Sequence, residues 1–133
     1  MKEEEKNDYV AYRLEKADET FEAAVLLFEN EKWNSTVNRL YYACFYAVSA
    51  LLVKNSIHAK SHNGVKTQFF QYFIKDGKIA IKYGQLYSDL FAWRQEGDYD
   101  DFVDFKENDI TPLILPTKEF ISVIREIIEN PSI

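Results

Sequence analysis

Apolar positions recur at helical spacing along nearly the whole chain. Val10, Leu14, Ala17, Phe21, Ala24 and Phe28 step by four and three residues, which makes one stripe on a first helix ending near Asn30. Charged side chains occupy its other faces. Val37, Leu40, Tyr41, Cys44, Val48, Leu51 and Leu52 stripe a second helix, and Tyr42, Phe45 and Tyr46 make it apolar almost all round. A helix of that kind belongs at the centre of a fold. The pattern breaks at Asn55-Ser56-Ile57, after which Ser61 is placed to cap a third helix with Val65, Phe69, Tyr72 and Phe73 facing inward as far as Asp76-Gly77. Ile79, Tyr83, Leu86, Tyr87, Leu90, Phe91 and Trp93 carry a fourth helix towards Gly97, a residue suited to a left-handed helix terminus. An acidic loop over 98 to about 110 follows, and Leu113, Thr117, Phe120, Ile121, Ile124 and Ile128 define a last helix before Pro131. That helix either begins near Pro116 or bends there after a short turn at Thr111-Pro112, because an internal proline removes a hydrogen bond. The pattern predicts an all-α fold, an antiparallel up-and-down bundle of four to five helices, with residues 1–7 a charged N-terminal tail and 8–130 a single domain.

Composition narrows this further. At 133 residues and 47% hydrophobic content, one core is expected, and four glycines and three prolines are too few for a sandwich of many turns. The longest apolar stretch, near Ala47 to Val53, is too short to cross a bilayer, and the N-terminus lacks the basic region of a signal peptide. The expected location is cytoplasmic, with no membrane partner. Cys44, the single cysteine, sits among aromatics and reads as a buried inert thiol. The net charge of −6 argues against a generic DNA or RNA binder. It is unevenly spread. Between Lys54 and Lys82 lie lysines 54, 60, 66, 75, 78 and 82 and both histidines against Asp76 alone, whereas from Glu96 to Asp109 acids 96, 98, 100, 101, 104, 107 and 109 face only Lys106. Either both runs are solvated surface, or the first is a basic contact face.

Several residues stand out as candidates. Arg94 borders the apolar face of the fourth helix near its end, where it serves either as a cation paired with Asp98 or Asp100 or as a guanidinium fork for phosphate. Arg39, Tyr42 and Tyr46 share one stripe, either a buried ring network or a platform on which bases stack. His58 and His62 are four apart, but Ala59 replaces the glutamate of a zincin motif, so no metal is expected; His62 instead opens the third helix, where it caps a backbone group or meets an anion. Lys66 follows in the same basic segment. The acidic loop is not an EF-hand, since Val103 stands where glycine is required, and phosphate-loop, Rossmann and nucleophile-elbow motifs are absent.

The runs Arg13-Leu14-Glu15-Lys16-Ala17 and Trp33 through Asn38-Arg39-Leu40-Tyr41-Tyr42-Ala43-Cys44-Phe45-Tyr46, then His62-Asn63-Gly64-Val65 with Phe69, Arg94-Gln95-Glu96-Gly97-Asp98-Tyr99 and Phe120-Ile121, resemble the HEPN-domain family from about Tyr9 to Ile128. The resemblance implies a helical bundle of bacteria and archaea, frequently a homodimer, often encoded beside a minimal nucleotidyltransferase, many such pairs being toxin and antitoxin. In ribonuclease members an arginine is followed a few residues on by a histidine, and both act on RNA between protomers; in some paired systems a tyrosine shortly after is nucleotidylated. Here Arg94 matches the arginine, Tyr99 stands where the histidine would be, and Asp101 stands where the tyrosine would be. A phenol of pKa about 10 is a poor general base at neutral pH. The resemblance thus implies binding of nucleotide or RNA, or partnership with a nucleotidyltransferase, without catalysis by the chain alone and without a cofactor. Arg39, Tyr42, Tyr46, His62, Lys66, Arg94 and Asp98 are the binding candidates. One alternative is a metal-independent ribonuclease toxin using Arg94 with Tyr99, or His62 of the partner protomer, as substitute acid–base. The other is a purely structural protein-interaction dimer.

Overall fold

The computed structural model describes residues 2–99 and 103–130. They form an antiparallel all-α bundle of helices α1 (Glu3–Glu29), α2 (Trp33–Lys54), α3 (His62–Phe69, continued by a π-helical turn Phe70–Ile74), α4 (Ile81–Tyr99) and α5 (Glu107–Glu129). Helix α2 is the hub, packed against each of the other four. Every residue assigned above to its inner stripe is buried, as are Ala43, Ala47 and Ala50, whose small side chains admit close neighbours. An ion pair of 2.7 Å from Arg125 to Asp18 ties α5 to α1.

The helix ends show how the chain is punctuated. Between α1 and α2, Glu31 takes a left-handed conformation (φ 59°), and the Lys32 amide donates back to the Leu27 carbonyl at 2.9 Å. The Ser61 hydroxyl accepts from the Gly64 amide at 2.8 Å and caps α3. Gly77, with φ 78°, ends the segment at the expected place.

Three boundaries and one side-chain orientation differ from the sequence reading. Helix α1 already starts at Glu3, because the acids Glu3, Glu4 and Glu5 favour the positive end of the helix dipole and extend it through the expected tail. Tyr72 is 41% exposed instead of inward-facing, since the wider π-helical turn shifts the phase and buries Ile74 beside the expected Phe73. Gly97 is inside α4, not at its terminus. A Cβ there would lie 3.0 Å from the Phe105 ring, so glycine serves close approach. Helix α5 starts at Glu107 and contains both Pro112 and Pro116. The Asp109 carboxylate accepts from the Lys106 amide at 2.9 Å, which anchors the first turn despite the prolines. The expected loop over 98–110 is therefore shorter at both ends; Asp100, Asp101 and Pro131 lie outside the described residues.

Candidate functional site

The second half of α4 lies along the N-terminal half of α2, and the candidates meet there. Arg94 is 6% exposed. Its guanidinium carbon sits 4.9 Å from the Tyr41 ring centroid and 5.8 Å from that of Tyr42, so the cation rests on two aromatic faces. One terminal nitrogen is 3.8 Å from the Asp98 carboxylate, one helical turn on. Its buried Nε has no hydrogen-bond partner among the described residues. A chain of polar contacts leads outward from this pair. Asn38 Nδ2 donates to Asp98 Oδ2 at 3.0 Å, and Asn38 Oδ1 accepts from Arg39 Nε at 2.9 Å and from its terminal nitrogen at 2.7 Å. Arg39 in turn lies over the Tyr42 ring, 5.0 Å from its centroid. Asn38 thus links the two arginines through one carboxylate.

His62 approaches the same rings from the start of α3. Its Nδ1 is 2.7 Å from the Tyr41 hydroxyl, and its ring lies 4.5 Å from Phe45 and 5.7 Å from Tyr42. Desolvation, then the Arg94 charge, holds its pKa below the ordinary 6.5, so the imidazole is neutral at pH 7. Burial pushes the Tyr41 phenol up to about 12, which keeps it protonated as well. With Tyr41 O–H as donor to Nδ1, Nε2 carries the ring proton; with the roles reversed, Nε2 becomes a free base.

The structure therefore brings together Arg39, Tyr42, His62, Arg94 and Asp98. Tyr46 extends the group, with its ring 6.0 Å from Tyr42. Lys66 sits at the margin, 4.8 Å above Phe91. Tyr99 does not join: it is 78% exposed and takes no part in these contacts. Asn38, Tyr41 and Asn34 were missed as site residues. Asn38 and Tyr41 were in view, inside the Asn-Arg-Leu-Tyr-Tyr run, but Tyr41 reads as core from its spacing. Asn34 clamps the segment after α4 to α2, donating to the Val103 carbonyl at 2.9 Å and accepting from the Phe105 amide at 2.9 Å. An open cavity of about 550 Å³ lies between Leu27, Asn34, Asn38, Arg39 and Asp98. Among the described residues no cluster of three metal-ligating side chains occurs, and no helix is long and apolar enough to cross a membrane. Cys44 is fully buried and its thiol pKa is pushed up by desolvation.

The family model of the HEPN domain matches residues 10–127, which include Arg94 and the tyrosines beneath it. The chain belongs to the HEPN-domain family. A "UPF0332 protein" of Thermotoga maritima is 37% identical over 126 residues, 95% of this chain and 96% of its own length. Two proteins of Methanocaldococcus jannaschii are also similar: "Putative toxin MJ0142" is 33% identical over 76% of this chain and 69% of its own length, and "Putative toxin MJ0605" is 37% identical over 65% of this chain and 64% of its own.

Proposed function

We propose that the chain binds the phosphates of RNA or a nucleotide through Arg94 and the Arg39-Tyr42-Tyr46 stripe, and works within a toxin–antitoxin-type pair. The observation that carries this is Arg94 itself. A guanidinium that is 6% exposed has its burial offset by two tyrosine rings and a long ion pair at 3.8 Å, yet keeps a buried Nε with no partner among the described residues. Such a group is held for a ligand, and its planar fork suits phosphate oxygens. The relatives named as toxins support the biological setting, and a second copy of the chain and a minimal nucleotidyltransferase are its partners in this reading. DNA is not the ligand, and no metal or other cofactor enters the reading.

A second reading, ribonuclease activity, is favoured by one contact only, the 2.7 Å bond between Tyr41 and His62. It sets a neutral imidazole on the rings that carry Arg94, the pairing of base and cation that phosphodiester cleavage uses.

Incubating the protein with a labelled RNA pool at low salt, with mobility shift and cleavage followed together, tests both. A shift that Arg94→Ala abolishes, without cleavage, is the expected result. Cleavage lost in both Arg94→Ala and His62→Gln moves the assignment to ribonuclease. No shift and no cleavage for the unaltered protein overturns both.

A further inference from the structure

Arg13 on α1 lies beyond the site just described. Its guanidinium carbon is 5.1 Å from the Tyr9 ring centroid and 5.3 Å from that of Tyr46, and Nε donates to the Tyr9 hydroxyl at 2.9 Å. Three contacts thus fix a half-buried fork in place. In a chain with 22 acidic residues, no carboxylate among the described residues pairs with Arg13, and its terminal nitrogens donate to nothing there. Arg13 lines a cleft of about 210 Å³ between α1, α2 and the α2–α3 connection, together with Ser49, His58 and Lys60 and no acid. Preorganised donors, the added cation of Lys60 and an absence of competing carboxylates in the lining describe a receptor for an anion.

The cleft is joined to the Arg94 site by rings. Tyr46 touches Arg13 on one side and Tyr42 on the other, and Tyr42 carries Arg39 and Arg94. Seven residues of α2 separate Arg39 from Tyr46, a rise of about 10 Å. One phosphate group cannot span that distance, whereas a chain of phosphates joined to stackable bases can.

We infer that the Arg13–His58–Lys60 cleft is a second phosphate subsite, which holds the backbone of a single-stranded RNA whose bases lie along Tyr46 and Tyr42 on the way to Arg94. The inference rests on the reading of Arg94 as a phosphate-binding group. Single strands are favoured because half-exposed tyrosines interleaved with arginines stack unpaired bases, which a duplex does not offer.

The test titrates the full chain with a labelled oligouridylate of about 12 nucleotides and with a uridine dinucleotide, at several salt concentrations. Arg13→Gln and, on the exposed wall of the cleft, Lys60→Gln are compared with Arg94→Met; circular dichroism confirms each fold. The expected result is that Arg13→Gln binds the long oligomer about tenfold more weakly, with a salt slope shallower by about one, and binds the dinucleotide as the unaltered protein does. Lys60→Gln shows the same pattern in smaller measure, while Arg94→Met weakens both ligands. The second subsite is overturned if Arg13→Gln and Lys60→Gln both leave the long oligomer unaffected while Arg94→Met weakens it. It is also overturned if Arg13→Gln weakens both ligands equally. An Arg94→Met protein that binds both normally overturns the underlying reading instead.

Discussion

Replacing Arg94 with methionine separates what the residue does for the fold from what it does for a ligand. Three contributions to stability change at once. Loss of the cation removes its contacts with Tyr41 at 4.9 Å and Tyr42 at 5.8 Å, each contributing about 0.5 to 2 kcal/mol. The ion pair with Asp98, at 3.8 Å and on a carboxylate 31% exposed, contributes about 0.3 to 0.5 kcal/mol. Against these stands relief of the buried Nε that has no partner among the described residues, about 1 to 3 kcal/mol. Methionine also keeps an apolar stem of similar length against the rings. At their midpoints the losses exceed the relief by about 1 kcal/mol, and at their extremes by about 3.5, so the variant should be destabilised by about 1 kcal/mol. Urea denaturation with an unchanged m-value measures this. RNA affinity should meanwhile fall at least about tenfold. Destabilisation beyond about 3.5 kcal/mol would refute the reasoning, because it would make Arg94 a structural cation whose removal breaks a needed network.

Three further outcomes follow from the same geometry. Gly97→Ala should destabilise by about 1 kcal/mol in thermal or urea melts, although alanine is the better helix former: its Cβ would meet Phe105 at 3.0 Å, and that ring cannot retreat because it stacks on Trp93 at 5.2 Å. Asn34→Ala should cost about 2 kcal/mol, since it strands both the Val103 carbonyl and the Phe105 amide, and hydrogen exchange at Phe105 should rise with it. The pH profile has two arms. Because His62 is depressed in the fold, the unfolded chain takes up its proton first as pH falls through 6.5, and stability drops from there downward; because Tyr41 is raised to about 12, the unfolded phenol ionises first above 10, and stability drops again as pH rises. His62→Gln should flatten the acid arm in urea midpoints and leave the alkaline arm in place.

The helical spacing made the bundle legible because one period governs nearly every buried residue, and α2 in particular could be read as central from its apolar circumference. What spacing hid was local. The π-helical turn displaced Tyr72 because one extra residue per turn changes the face without changing composition. Gly97 was misread because glycine serves both a left-handed terminus and a close approach, and only the position of Phe105 decides between them. The start of α5 was hidden by Pro112 and Pro116, which lie inside the helix while the Asp109 cap fixes its first turn at Lys106. In the site, Arg94, Arg39, Tyr42 and His62 were named from type and position. Asn38 was not, because its role depends on Asp98 sixty residues away, and nothing local to an asparagine reports such a partner. Arg13 was passed over for the same reason, since its second ring belongs to α2.

The net charge of −6 and a phosphate ligand are reconciled by where the arginines lie. Three of the four, Arg13, Arg39 and Arg94, rest on the rings of Tyr42 or Tyr46, and among the described residues only Arg125 is closely paired with a carboxylate, at 2.7 Å. The cluster therefore presents a local positive field inside an acidic envelope. Near physiological salt the screening length is about 8 Å, so a phosphate at the cluster feels the nearby guanidinium groups more than the distant acids. Lowering the salt extends the reach of both, and the repulsion from the acidic remainder grows along with the attraction. RNA affinity should thus rise less steeply on dilution than the number of contacted phosphates alone predicts. A slope as steep as that of a wholly basic binder with the same contacts would show that the acids do not face the approaching strand, and that the basic surface is wider than these three arginines and their neighbours.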